Sequence, residues 1–449
     1  MAKSSRKHIA VIGGGWAGCA AAVQLTKQGH QVSLFEASRT LGGRARAVEV
    51  NGLKVDNGQH ILLGAYQQSL QMMREVGIDM EQSFLRLPLQ MIYPSHEDGM
   101  QFIAPKSGFI PAPLHLLIAL WQSKGLEKAD KLALARFSST ARWMGWKLYQ
   151  DCSVSELLQR FDQTERLCRL MWNPLCVAAL NTPPERASAQ VFLNVLRDSL
   201  GAKRAASDML IPQLNLSALF PEQAAVFIQS KGNKLNLGQA VTGVSQHTGM
   251  PGKWQLNLSK QETSDEHAYY DGIIIATDCS NAKRLLKSAN SDTVLPEFAF
   301  EAITTCYLNY AADIRLPGAM HALCDAPQQE KWGQYVFDRG YLHIEHAGLL
   351  AVVISAPQNP NSIEHDKIAS AIASQLAESF QLPALKLPLW HQIITEKRAT
   401  FSCTPGLARP PNTTDQTGLL LAGDYTAGDY PATIEAAVRS GISAAKRLQ

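Results

Sequence analysis

Four short runs along the chain are almost wholly apolar and rich in β-branched residues: His8–Ile12 (HIAVI), Gln31–Phe35 (QVSLF), Gly272–Thr277 (GIIIAT) and Gly418–Ala422 (GLLLA). Runs of this kind predict strands buried on both faces of a parallel sheet, where helices above and below leave no side for polar residues. Ala225–Ser230 reads as a further strand of the same sheet. Small residues over Cys19–Gln28 predict a helix ending at Gly29, and a second helix is expected from near Pro431, through Ile434, Ala437 and Val438, to about Arg447. Proline suits the first turn of that helix. Strand and helix thus alternate at both ends, which predicts an α/β fold. Its pieces come from three stretches, 1–66, 220–288 and 400–449, so 67–219 and 289–399 form an interleaved α+β unit. Within the latter, 108–146 places apolar residues at helical spacing, as in a pair of amphipathic helices.

At 449 residues the chain exceeds one ordinary domain. Its 46% hydrophobic and 18% charged residues fit a folded protein, and a net charge of +3 gives no reason to expect a nucleic-acid partner. The eight cysteines are scattered, without CxxC pairs or metal-type spacing, as expected of reduced thiols in a cytoplasmic chain with no bound metal. The basic start followed by apolar residues looks like a leader, but Gly13, Gly14 and Gly15 break that run. No stretch reaches the ~18 apolar residues of a spanning helix.

Chemistry enters at those glycines. Gly13, Gly15 and Gly18 form GxGxxG between the first strand and the first helix, and Glu36 closes the second strand 18 residues past Gly18. Glycine lets the backbone turn tightly and approach a pyrophosphate, the helix N-terminus offers unpaired amides to it, and a carboxylate at Glu36 accepts hydrogen bonds from ribose hydroxyls. The alternative for GxGxxG alone is a glycine-rich turn with no ligand. Strand, turn, helix, strand and acid in order favour a dinucleotide.

The next residues, Arg39–Arg44 (RTLGGR), resemble the second phosphate contact of the amine oxidase and phytoene desaturase superfamily, and Gly423–Asp424 at the end of the GLLLA run resembles its C-terminal flavin motif. The resemblance implies FAD held in a two-dinucleotide-binding, Rossmann-type domain. It implies contacts from Gly13, Gly15, Trp16, Ala17 and Gly18, from Glu36 and Ala37, from Gly42, Gly43 and Arg44 with Arg46 nearby, and from Gly423, Asp424, Ala432, Thr433 and Ile434. Asp56–Tyr66 (DNGQHILLGAY) stands where the superfamily passes beneath the isoalloxazine ring, which adds Gly58, Gln59 and His60.

That segment, together with Trp172–Thr182 (WNPLCVAALNT), Gln190–Phe192, Leu196–Asp198 and Ser207–Pro212 (SDMLIP), is similar to the bacterial squalene-associated FAD enzymes known as hydroxysqualene dehydroxylases. The likeness runs from His8 to the C-terminus, although 290–400 offers nothing to match residue by residue. It implies a long-chain isoprenoid substrate and reductive replacement of an allylic hydroxyl in squalene and hopanoid biosynthesis. Such chemistry needs a proton donor and a dry cavity. His60 is the first candidate donor because histidine titrates near neutral pH, with Asp56 and Asp198 behind it. Asp56 is equally well a turn or cap residue. Trp172, Leu175, Asn181 and Phe192 are candidate substrate contacts; the aromatic pair would face a cation with its π surface or serve simply as core.

Two other readings stay open: a carotenoid or squalene desaturase with the electron flow reversed, and a non-catalytic isoprenoid-binding flavoprotein. No second nicotinamide site is evident, so electrons would come from a partner or from diffusible NAD(P)H, and the upstream synthase is a further candidate partner. Basic residues and tryptophans border the 108–146 helices, including Lys124, Lys128, Lys131, Arg136, Arg142, Trp143 and Trp146. This composition resembles helices lying on a membrane surface, here expected to be the inner membrane; the alternative is a pair of ordinary amphipathic core helices.

Overall fold

The computed structural model of the chain describes residues 6–94, 99–106, 114–259, 269–357 and 364–448. Five parallel strands, β1 (His8–Ile12), β2 (Gln31–Glu36), β3 (Lys234–Leu237), β4 (Gly272–Ile275) and β5 (Leu419–Leu421), form one sheet in the order β3-β2-β1-β4-β5. Alternate side chains enter different cores. Ile9, Val11, Val32, Leu34, Ile274 and Leu420 pack with helices α1 (Trp16–Lys27), α2 (Pro221–Ser230) and α3 (Ile434–Lys446), whereas Ala10, Ile12, Phe35, Ile273, Ile275 and Leu421 join the large core on the opposite face. Burial on both faces is why these strands read as unbroken apolar runs.

Three element boundaries differ from the sequence expectation. Ala225–Ser230 is not a strand but the end of α2, with Ala224, Ala225 and Ile228 buried and Val226 turned out to solvent. Burial at i and i+4 is helical, Pro221 sits in the first turn, and the edge strand follows a turn later as β3. The first helix starts at Trp16, three residues before Cys19, immediately after the glycine turn. The last starts at Ile434 rather than near Pro431, because the Thr433 hydroxyl caps it by accepting from the Ala436 amide.

The stretch 290–400, which no motif resolves, supplies a second sheet. Its strands Met320–Ala322, Tyr335–Asp338, Leu349–Ser355, Phe300–Asn309 and Trp390–Phe401 lie in that order and pair antiparallel. The helix His365–Ser379 covers one face, burying Ile368, Ile372 and Leu376 against Cys306, Leu308, Val336, Leu350 and Val352. The alternate positions Tyr307, Tyr335, Phe337, Leu349, Ala351 and Val353 enter the large core shared with the parallel sheet. The period of two therefore aims one face of this sheet at the rest of the molecule.

Helices Leu114–Gln122 and Lys128–Trp143 account for much of 108–146, of which 108–113 lies outside the described residues. Ala119, Leu120, Ala133, Leu134, Phe137 and Ala141 join the large core. Among the described residues no helix is long and apolar enough to cross a membrane. None of the eight cysteines is disulfide-bonded.

Candidate functional site

The glycine turn after β1 is dictated by packing. Gly13 has φ +108°, and a Cβ there would meet the Ala276 carbonyl oxygen at 2.6 Å; a Cβ on Gly18 would lie 1.8 Å from the Gly13 oxygen. Gly15 and Gly43 face each other without side chains between them, and the Gly42 amide donates to the Gly14 carbonyl at 2.9 Å. The result is a slot walled by backbone. At its end α1 carries no side-chain cap and no acid in its first turn, so its N-terminal partial charge is uncompensated. A Gly-lined slot beside an uncapped helix end fits a diphosphate. Trp16 and Ala17 bring only backbone to it: the Trp16 ring is buried, packs on Phe220 and donates from Nε1 to the Ala45 carbonyl. Glu36 stands beside the turn, accepting from the Gly14 amide at 2.6 Å and the Ser38 amide at 2.8 Å, with Ala37 exposed next to it.

An ion pair links residues from the two ends of the chain. Both Asp424 carboxylate oxygens accept from Arg44 Nη2 at 2.7 Å, while Arg44 Nη1 donates to the Ala399 carbonyl at 2.7 Å. Arg44 and Asp424, both expected to contact the dinucleotide, thus meet each other across 380 residues. Gly423 donates its amide to Ser440 Oγ, and Ala432, Thr433 and Ile434 are half-buried where α3 begins.

Between these ends, residues 56–60 run against the inner face of the antiparallel sheet. Asp56 is buried; its Oδ1 accepts from the Leu216 amide at 2.7 Å and its carbonyl from the Tyr307 hydroxyl at 2.8 Å. Burial raises its proton affinity, against the opposing pull of Arg339, the Leu216 amide and His60. The Gln59 amide donates to Thr305 Oγ1, and Gln59 Oε1 accepts from the guanidinium of Arg339 at 2.8 Å. His60 Nδ1 lies 2.6 Å from the Gly58 carbonyl. A carbonyl can only accept, so Nδ1 carries the hydrogen and Nε2 is the nitrogen left to exchange a proton. A cap-type role for Asp56 and nearness to His60 hold together.

Thr305, Tyr307 and Arg339 were not singled out in the sequence. Arg339 follows an apolar strand in YVFDRG, and that is the signal available.

The remaining candidates lie as follows. For Asp198, burial alone would raise its proton affinity, but hydrogen bonds from Arg197 Nε (2.7 Å) and the Tyr430 hydroxyl (2.8 Å) outweigh it and hold the carboxyl below its ordinary range. Asn181 is a brace. It sits in the left-handed region at the C-terminus of the helix Asn173–Leu180, donates to Thr400 Oγ1 at 2.9 Å and accepts from the Ala356 amide at 2.9 Å. Trp172 and Phe192 are closed into an aromatic cluster with Phe137, and Trp172 Nε1 is satisfied by Gln163 Oε1. Both rings are buried within that cluster. Leu175 remains half-buried against the same core.

Comparison with known proteins gives a consistent picture. Residues 16–449 match the family described as flavin containing amine oxidoreductase. Over the whole length the chain is similar to hydroxysqualene dehydroxylases from Rhodopseudomonas palustris (28% identity; 98% of this chain, 97% of the relative) and Sinorhizobium fredii (26%; 98% and 97%). A zeta-carotene desaturase of Synechocystis is 22% identical over 98% of this chain and 97% of its own. Among solved structures, putrescine oxidase bound to putrescine superposes with a TM-score of 0.68 at 15% identity, covering 98% of each chain. Cyclohexylamine oxidase from Brevibacterium oxydans does so with a TM-score of 0.65 at 16% identity, over 99% and 98%.

Proposed function

The chain belongs to the flavin-containing amine oxidoreductase family, and from that premise we propose that this FAD-dependent oxidoreductase replaces the allylic hydroxyl of hydroxysqualene by hydrogen, giving squalene. What carries the reading is end-to-end similarity to three bacterial hydroxysqualene dehydroxylases. The solved amine oxidases support the fold alone.

In this reading Gly13, Gly15, Gly18, Gly42 and Gly43 hold the diphosphate of FAD with the N-terminal amides of α1, Glu36 the adenosine ribose, Arg44 and Asp424 the far side, and residues 58–60 the flavin ring. Reduced FAD, when bound, supplies hydride. The overall balance is an alcohol, a proton and a hydride giving a hydrocarbon and water, so the chain must deliver one proton to the departing oxygen and keep bulk water away from the carbon it leaves. His60 donates that proton from Nε2, its ring fixed by the Gly58 carbonyl. Asp56 sits buried four residues earlier, and burial favours its protonated form. The inner face of the antiparallel sheet provides the apolar wall that excludes water. The substrate is a hydrocarbon with one hydroxyl, and the exposed apolar face of the 114–143 helices supports a peripheral position on a membrane from which it is drawn.

The test is anaerobic: reduce the bound flavin, add hydroxysqualene in detergent, and follow return of the oxidised spectrum alongside squalene by chromatography. Stoichiometric squalene with reoxidation is expected. A reduced flavin that persists, while squalene or phytoene reduces the oxidised enzyme, would replace this reading with a desaturase.

A further inference from the structure

Arg339 follows the strand Tyr335–Asp338 and is among the largest completely enclosed side chains, 2% exposed. A guanidinium cannot shed its proton, so its burial costs several kcal/mol unless charge and hydrogen bonds offset it. Other arginines at inner acids are matched: Arg44 with Asp424, Arg204 with Asp208, Arg315 with Asp338, Arg439 with Glu435. Arg339 is not. Its neighbour Asp338 is already occupied by Arg315 Nε, the Leu316 amide and the Gly340 amide. Among the described residues, no carboxylate forms an ion pair with Arg339; its one hydrogen bond goes from Nη1 to the neutral Gln59 Oε1, and its Nε is buried with no partner. The charge is felt nearby, since burial and then Arg339 push His346 down to about 4.

Asp56 senses Arg339 through space but makes no ion pair with it, and burial favours the neutral form of that carboxyl; a buried cation hydrogen-bonded only to a neutral amide leaves room for a counter-charge supplied by something the chain binds. We propose that Arg339 is a positioning residue of the flavin site: it holds Gln59, and with it the 58–60 segment, and provides the fixed positive charge that the anionic reduced flavin compensates. The inference rests on the placement of the flavin ring along 58–60. It names a source of electrostatic bias toward the reduced cofactor, one that eases loading of the flavin with electrons while lessening its drive to give up hydride. The anion is the cofactor rather than the substrate, because the isoprenoid alcohol carries no charge.

The test reads the flavin, not turnover. In holoenzyme, Arg339→Gln removes the charge, Arg339→Lys keeps it with a weaker hold on Gln59, and Gln59→Glu supplies the missing carboxylate in place. The expected result is a lower two-electron midpoint potential in R339Q and Q59E, corresponding to a tenfold or greater loss in relative stabilisation of reduced flavin, about 30 mV. R339K keeps the potential near wild type. Q59E also raises the melting temperature, since it pairs a charge that was unpaired, so the test survives if R339Q fails to fold. An unchanged potential in Q59E, with FAD bound at full stoichiometry, overturns the proposal. Failure of the wild type to form squalene would count against the dehydroxylase reading and leave this measurement standing; failure to bind FAD would be seen before any variant was made.

Discussion

Asp56 and His60 are four residues apart, yet the fold treats their protons differently. The hydrogen bond from Nδ1 to Gly58 leaves His60 a single exchangeable nitrogen, so its loss should be felt in the chemical step. His60→Ala, saturated with FAD as checked by visible absorbance, is expected to slow single-turnover flavin reoxidation by hydroxysqualene about a hundredfold or more; a change within threefold would assign the proton elsewhere. Asp56 makes a thermodynamic prediction. Its folded-state affinity for a proton is raised, so the stability it contributes is complete below the free-aspartate value near 4 and is lost as pH rises through the folded value. Asp56→Asn keeps an acceptor for the Leu216 amide and removes that loss. Denaturant midpoints of the two proteins should therefore diverge in favour of the variant as pH rises above the free-aspartate value near 4, and a constant gap would mean that Asp56 ionises freely. At this scale the sequence displayed residue types but not their partners. His60 and Asp56 stood out because their segment resembles a known one, whereas Asp198 looked just as acidic until Arg197 and Tyr430 closed on it.

Elements were legible where one physical cause set the pattern. Strands buried on both faces announced themselves as apolar runs, and the glycine turn as the only residues that fit; α2 was misread because AAVFI suits either period when its partners are unknown. The antiparallel sheet stayed hidden because its two faces are both apolar, one under the helix His365–Ser379 and one in the main core, which blurs the alternation that marks a half-wet strand. What holds the nucleotide unit together is also a contact no local pattern reveals: α1 crosses α3 so closely that a Cβ on Gly441 would lie 2.1 Å from the Ala17 carbonyl oxygen. Gly441→Ala should destabilise the protein by about 1–3 kcal/mol or more and loosen FAD, because the strain falls on the first turn of α1. Gly29→Asn, at a left-handed position with nothing within 4 Å, is the matched control and should cost less than about 1 kcal/mol. Equal losses in urea titrations of the two variants would refute the account.

At the scale of the whole molecule, the proposed isoprenoid alcohol is water-insoluble and requires a surface that meets its lipid source. The helices Leu114–Gln122 and Lys128–Trp143 bury one side in the core, and their other side mixes exposed leucine and tryptophan with basic and hydroxyl residues. Leu114, Leu117 and Trp121 lie at i, i+3 and i+7 and are exposed, Trp121 by 78%. Lys128, Leu132, Arg136 and Trp143 form a second exposed stripe, Trp143 by 88%, with Lys124, Lys147 and Tyr149 at the edges. Trp146, by contrast, is half-buried against Gly201 and belongs to the protein. Exposed tryptophan and leucine beside lysine and arginine match an interface of acyl chains beneath anionic headgroups, and each anchoring side chain there contributes on the order of 1–2 kcal/mol. The double variant Trp121→Ser, Trp143→Ser should accordingly lose about tenfold or more of its partitioning onto phosphatidylglycerol-containing vesicles. Wild-type binding should also weaken with added salt as the basic residues are screened. Turnover in detergent should stay the same, because these side chains lie outside the site, while turnover of vesicle-borne hydroxysqualene should fall with the bound fraction. Co-sedimentation that is equal for both proteins would show that substrate reaches the enzyme by another face.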